Sequence, residues 1–148
     1  MPKEKAQVST DNPGIMMVKT FVAMILVNGL VIYLANMFFP EQVVLGTMSI
    51  SHLWAVLLSA GTLAVINTFT MPFFTIWEQQ VKRVLTPMEW MGGYLVINFV
   101  GLWLITRVAE IFGLGVASWL VILVLAVVLD FLQGLVMMNL EKMRLQAK

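Results

Sequence analysis

Residues 20–40 read TFVAMILVNGLVIYLANMFFP, an uncharged run that is long enough to cross a membrane. An α-helix needs about 20 predominantly apolar residues to span about 30 Å of hydrocarbon. Three further apolar stretches lie between the charged pairs Glu41 and Glu78, Glu89 and Arg107, and Glu110 and Asp130, the last continuing beyond the aspartate. We therefore predict an all-α, polytopic membrane protein with transmembrane helices at about 17–39, 51–71, 89–109 and 114–139.

The composition fits a membrane protein and argues against an enzyme. Hydrophobic residues make up 60% of the 148 residues, charged residues only 11%, and the mean hydropathy is +0.91. A soluble domain would carry about 25% charged residues. The chain has no cysteine, and His52 is its one histidine, so neither a disulfide framework nor a zinc cluster is expected. It also lacks the nucleophile-elbow, phosphate-loop and HExxH motifs, so we expect no catalytic, cofactor-binding or metal site.

The basic residues predict the orientation in the membrane. Four spans place the polar tail at 1–16, the loop at 72–88 and the basic tail at 141–148 on one side. That side holds every basic residue of the nine except Arg107. The positive-inside rule then puts both termini in the cytoplasm of a bacterium, with the protein in the inner membrane. We expect these residues to contact anionic lipid headgroups rather than nucleic acid. A cleaved signal peptide is the competing interpretation of the N-terminus, but the apolar run is too long for one.

The loop between spans two and three has the pattern of an amphipathic helix. Pro72 is expected to end or kink the second helix. Apolar and polar side chains then recur on opposite faces, which is typical of a helix lying in the membrane plane. The residues that define this interfacial helix are Trp77, Val81, Lys82, Arg83, Val84 and Leu85. An extension of the second span, or a surface helix packed on the bundle, would give a similar pattern.

The two halves of the chain are similar to each other. Residues 27–34 read VNGLVIYL and residues 97–104 read INFVGLWL. Spans two and four each begin near a tryptophan, Trp54 and Trp119, and each reaches a polar residue after an aliphatic run. Both halves enter and leave on the same side, so they form a parallel repeat with a two-fold axis along the membrane normal. We predict a bundle of two helical hairpins.

Each span carries one polar residue near the middle of the bilayer: Asn28, Asn67, Asn98 and Asp130. Polar groups at this depth are costly unless they face the bundle and find partners. One interpretation is structural, in which the side chains hydrogen-bond between helices. The other is a hydrated path or substrate site lined by the four groups. Asp130 is the residue to test, because an intramembrane carboxylate is a functional candidate.

Several positions resemble the four-helix bacterial membrane proteins known as phage holin family 4. That family has a tryptophan opening the second span, an Ile-Asn pair further along, a proline after it, and a second Ile-Asn pair in the third span. The matching residues are Trp54, Ile66, Asn67, Pro72, Ile97 and Asn98, and the resemblance covers about 25–140. It implies a four-helix bundle and permeabilisation of the membrane during lysis, and it implies no catalytic residue.

Three functions are therefore open at the level of sequence. The first is a holin-like pore formed when bundles self-assemble laterally, so that a homo-oligomer is expected. The second is a non-catalytic structural or accessory subunit that binds a larger membrane complex. The third is a small transporter or channel that uses the polar layer within one bundle. The spans show isolated asparagines rather than a continuous polar stripe, which favours the second function over a pore.

Overall fold

A computed structural model of the chain describes residues 12–146, apart from the side chains of three residues near the ends. Within that range it is built almost entirely of helix. In chain order the elements are α1 Pro13–Phe38, β1 Val43–Leu45, α2 His52–Val81, α3 Pro87–Arg107, α4 Ala109–Phe112, β2 Leu114–Val116 and α5 Trp119–Gln146.

The prediction of four membrane-spanning helices is confirmed: α1, α2, α3 and α5 are each long and apolar enough to cross a bilayer. Helix α2 has 30 residues. At about 1.5 Å per residue it is about 45 Å long, well beyond the hydrocarbon thickness. One end of α2 must therefore leave the hydrocarbon, or the helix must tilt strongly.

Two boundaries differ from the predicted ones. Helix α2 does not end at Pro72 but continues to Val81. Membrane helices tolerate proline where nearby groups replace the lost bond. The fourth span begins at Trp119 rather than 114, because residues 114–116 form a strand.

The predicted tails lie only partly within the described residues. Residues 1–11 of the predicted polar tail, and residues 147 and 148 of the basic tail, lie outside the described residues. The rest of each tail is largely helical, because α1 already begins at residue 13 and α5 continues to residue 146.

A two-stranded sheet, which the sequence did not predict, closes one end of the bundle. Strand β1 pairs antiparallel with β2, with Val44 opposite Gly115, and the ladder extends to a bond from the Gly46 amide to the Gly113 carbonyl at 2.7 Å. Gly46 and Gly113 both have positive φ, 91° and 74°, which favours glycine. We call this the sheet end of the bundle, and the end that holds the start of α1 and the end of α5 the termini end.

Small residues let the helices approach closely. A Cβ added at Gly101 in α3 would lie 2.8 Å from Leu63 Cδ1 of α2, and one added at Gly29 in α1 would lie 3.4 Å from Val56 Cγ1 of α2. Ala60 and Ala64 of α2 are almost fully buried at the centre of the bundle. This small-residue packing is the usual means of association for helices in lipid, where the hydrophobic effect does not drive helices together.

Candidate functional site

Four amide side chains lie buried at mid-height in the bundle, one on each long helix. They belong to Asn28 of α1, Asn67 of α2, Asn98 of α3 and Gln133 of α5, and none is more than 3% exposed. We call these four side chains the amide layer. The four side chains therefore face the interior of the bundle, as the cost of burying them in hydrocarbon requires.

The amides bond to one another in sequence across all four helices. Asn67 Nδ2 donates to Asn98 Oδ1 at 3.0 Å. Asn98 Nδ2 donates in turn to Gln133 Oε1 at 2.9 Å, and Gln133 Nε2 donates to Asn28 Oδ1 at 2.7 Å. Asn28 Nδ2 ends the series by donating to the backbone carbonyl of Ala60 at 3.4 Å. The bonds therefore connect α2 to α3, α3 to α5, and α5 to α1.

One acceptor in the layer has no partner. Asn67 Oδ1 is buried and receives no hydrogen bond from the described residues. An amide oxygen left unpaired in this way costs about 1–3 kcal/mol. The layer contains no ionisable side chain, so it offers neither a proton to transfer nor a strong metal ligand. Its chemistry is that of an interhelical hydrogen-bond network.

The prediction that Asp130 completes the polar layer is wrong, because Gln133 holds that position. The two residues are three apart on α5, so they point about 60° apart around the helix and differ in height by about 4.5 Å. The buried stripe of α5 runs through Ile122, Ala126, Leu129 and Gln133, whereas Asp130 lies beside it and is half-buried. Residues 119–129 are all apolar, so the sequence of this span carries no apolar stripe that would select Gln133 over Asp130.

Asp130 lines a cavity instead. This cavity has a volume of about 350 Å³ and extends from the amide layer toward the termini end. Its lining residues come from all four long helices and are Met24, Met71, Trp90, Met91, Tyr94, Asp130, Gln133, Gly134 and Met137. Asp130 makes no hydrogen bond or ion pair within the part of the chain that the structure describes. We call this space the Asp130 cavity.

An aromatic cluster adjoins the Asp130 cavity. The ring centroids of Phe74 and Trp90 are 4.7 Å apart, and those of Trp90 and Tyr94 are 6.0 Å apart with nearly parallel planes. Gly93 makes room for this cluster, since a Cβ there would collide with the Phe74 ring. The Tyr94 hydroxyl oxygen is buried without a hydrogen-bond partner among the described residues.

The segment predicted as an interfacial helix is not a separate helix. Trp77 and Val81 belong to the last turns of α2, Lys82 ends that helix with a positive φ of 54°, and residues 83–86 form a turn. Leu85 is only 5% exposed, so it packs within the protein, whereas Val84 is 79% exposed. The continuation of α2 through Pro72 explains the helical spacing that the sequence shows there.

The turn is fixed by ionic and capping bonds. Arg83 donates from its two terminal nitrogens, Nη1 and Nη2, to the two carboxylate oxygens of Glu89, at 2.8 and 2.6 Å. These hydrogen bonds and the negative charge of Glu89 raise the pKa of Arg83. Thr86 caps α3 in a capping box, in which its hydroxyl accepts from the Glu89 amide and the Glu89 carboxylate accepts from the Thr86 amide. Glu78 accepts from the Leu85 amide at 2.9 Å. Arg83 thus contacts a carboxylate within the chain.

These features define a class of protein. Four apolar spanning helices, joined by a buried layer of neutral amides, make this a multi-pass membrane protein. The chain matches no protein-family model, and no curated protein and no solved structure matches it significantly.

Proposed function

We propose that this protein is a non-catalytic structural or accessory subunit of a larger complex in the bacterial inner membrane. The observation that carries the proposal is the amide layer, in which Asn67, Asn98, Gln133 and Asn28 are bonded to one another in the centre of the bundle. Such bonds hold helices in one arrangement rather than lining a route for water or solute. A rigid, closed bundle is suited to holding a partner in place.

A pore formed by self-assembly, which the resemblance to phage holin family 4 implies, is the alternative. Its lining would have to come from the same polar side chains. Each of these side chains is at least 97% buried within one bundle, since the most exposed of them, Gln133, is 3% exposed. To face water they would have to break at least three interhelical bonds and separate the helices. A transporter or channel within one bundle meets the same obstacle, because the amide layer crosses the bundle interior.

The proposed orientation has both termini in the cytoplasm. The basic residues Lys19, Lys82, Arg83 and Lys142 lie at the termini end, while Arg107 lies toward the sheet end with its guanidinium 4.8 Å from the centre of the Trp103 ring. The positive-inside rule supports placing the termini end inside. Lys82 and the end of α2 then lie at the cytoplasmic interface, where anionic headgroups can contact them.

The proposed architecture is a parallel repeat of two hairpins, α1–β1–α2 and α3–β2–α5. A two-fold rotation that places the first hairpin on the second makes Asn28 equivalent to Asn98 and Asn67 equivalent to Gln133. The bond from Asn67 to Asn98 then corresponds to the bond from Gln133 to Asn28. It also exchanges the two strands of the sheet. The third bond, from Asn98 to Gln133, would have its counterpart between Asn28 and Asn67. This counterpart is absent, and Asn67, whose side chain is one methylene shorter than that of Gln133, has an unpaired oxygen.

The experiment that tests the proposal separates a pore from a subunit. The purified full-length protein is placed in liposomes that hold a fluorescent dye and a potassium gradient. We expect no leakage above that of empty liposomes, from the wild type or from the Asn67→Leu and Asp130→Leu variants. Leakage by the wild type that these substitutions abolish would overturn the proposal in favour of a pore.

A second measurement concerns the partner. Membranes of the source cell, solubilised in mild detergent, are separated by native electrophoresis and probed for the chain. We expect it to migrate with a larger assembly of distinct proteins. Migration as a single bundle, or as a multiple of itself alone, would contradict the accessory role.

A further inference from the structure

We infer that the Asp130 cavity is a binding site for an apolar organic cation. A partnerless carboxylate, stacked aromatic rings and thioether side chains meet there in a space large enough for a small molecule. This site is separate from the accessory role, and either could exist without the other.

Charge is the first reason. Asp130 lies within the span of α5 and has no hydrogen-bond or ion-pair partner in the described part of the chain. The residues that line the cavity include no lysine, arginine or histidine. Charged groups within a membrane normally pair with an opposite charge, so this carboxylate favours a cationic occupant. An anion would meet repulsion from Asp130, and the lining offers it no cationic side chain.

The lining also suits the rest of such a ligand. Trp90 and Tyr94 contribute aromatic rings to the lining, and indole is the ring that attracts cations most strongly. Four methionines, Met24, Met71, Met91 and Met137, supply flexible and polarisable walls that adapt to differently shaped apolar groups. Gln133, which also lines the cavity, already uses its nitrogen and oxygen in the amide layer. The cavity therefore offers the Asp130 carboxylate, the Tyr94 hydroxyl and a largely apolar surface.

The volume and the lining suit a small molecule rather than a bare metal ion. The cavity volume of about 350 Å³ falls within the range of about 300–1,000 Å³ that is typical of small-molecule pockets. A metal ion needs several ligand atoms converging at about 2.0–2.6 Å, and this lining offers one carboxylate. Gly134 adds room, since a Cβ built on it meets no atom within 4 Å. A compact cation with apolar substituents, such as a quaternary ammonium or phosphonium, fits these dimensions.

The test uses two ions of nearly the same shape and opposite charge. The full-length protein in lipid nanodiscs is dialysed against radiolabelled tetraphenylphosphonium or tetraphenylborate, with empty nanodiscs as the blank. We expect saturable binding of the phosphonium at one site per chain, and at least tenfold weaker binding of the borate. Equal binding of both ions, or no saturable binding of the phosphonium, would overturn the inference.

Two substitutions locate the site. Asp130→Asn keeps the shape of the side chain and removes its charge, and we expect phosphonium binding to weaken at least tenfold. Gly134→Leu fills the cavity from a position with open space around it, and we expect binding to be lost. The matched controls are Glu110→Gln, an exposed carboxylate, and Gly61→Leu, a glycine outside the cavity that also has no atom within 4 Å of an added Cβ.

The thermal unfolding transition of each variant is measured to establish that it is folded. A loss of phosphonium binding in a folded variant is then assigned to the site. Wild-type affinity in folded Asp130→Asn and Gly134→Leu would contradict the assignment of the site. Equal losses in the two control variants would contradict it as well.

Discussion

Gln133 of α5 donates from its side-chain nitrogen to Asn28 Oδ1 of α1 at 2.7 Å, which joins the last helix of the chain to the first. Both side chains are buried, so no water competes for this bond. It closes a series of amide bonds that includes every long helix. The series ties together segments that lie far apart in the sequence, and it does so without placing a charge in the hydrocarbon.

Removing the central amide should destabilise the bundle most. Asn98→Leu deprives Asn67 Nδ2 and Gln133 Oε1 of their partners at once. We expect a loss of about 1–3 kcal/mol in the free energy of unfolding, since interhelical bonds in membranes contribute up to about 2 kcal/mol and orphaned buried groups add a penalty. Equilibrium unfolding in mixed detergent micelles measures this loss in the free energy of unfolding. Asn139→Leu, at an exposed position of α5, is the control, and an equal effect there would contradict the role of the layer.

Lengthening one amide should supply the missing bond. Asn67→Gln adds a methylene, so its oxygen can approach Asn28 Nδ2 while its nitrogen still reaches Asn98. We expect the variant to be as stable as the wild type or up to about 1 kcal/mol more stable, with a higher melting temperature in detergent. Asn67→Leu should be less stable. A glutamine variant as unstable as the leucine variant would contradict the proposed two-fold arrangement.

The turn at Gly113 should not accept a side chain. Its φ is +74°, and a Cβ there would lie 2.6 Å from Ala55 Cβ. Gly113→Ala should therefore lower the free energy of unfolding by about 1 kcal/mol or more. Gly115→Ala is the matched control, because its Cβ would meet only Val44 Cβ at 3.9 Å. Equal free energies of unfolding for the two variants would contradict the close contact between this turn and α2.

The pairing of the two loops can be tested with an engineered disulfide. Val43 lies opposite Val116, and the two residues form a pair without backbone hydrogen bonds to each other. The Cα atoms of such a pair are about 4.5 Å apart, closer than those of a hydrogen-bonded pair. Because the chain has no cysteine, Val43→Cys with Val116→Cys should cross-link on mild oxidation without competing pairs. Val44→Cys with Val116→Cys should not, since their side chains point to opposite faces. Efficient cross-linking of the second pair would contradict the register.

The number and approximate position of the spans could be predicted because hydrocarbon thickness sets both the length and the composition of a spanning helix. Pro72 shows where local rules fail, since α2 continues through a residue that would end most soluble helices. The strands at 43–45 and 114–116 were missed because each is short and pairs with the other across a long sequence separation.

The candidate site was predicted in part. Three asparagines were identified correctly as inward-facing, because any polar side chain in mid-membrane must find a partner. The prediction named Asp130 rather than Gln133 because an intramembrane carboxylate is costly and therefore a functional candidate. Which of two polar residues, three apart on a helix, faces the core depends on the rotation of α5 in the bundle. The sequence does not fix that rotation, because residues 119–129 are apolar on every side of the helix.

The most direct test of the closed bundle is the access of water to its interior. Single cysteines at Ala64 and Ala126, both 0% exposed, are treated with a membrane-impermeant maleimide in sealed right-side-out vesicles and again after the membrane is opened. In the proposed orientation these vesicles present the sheet end to the reagent. Met48→Cys, at a fully exposed position in the loop at the sheet end, is the positive control. We predict that only the control is labelled, in either preparation. Rapid labelling of both interior cysteines would show a hydrated path through the amide layer and would contradict the structural role proposed for this protein.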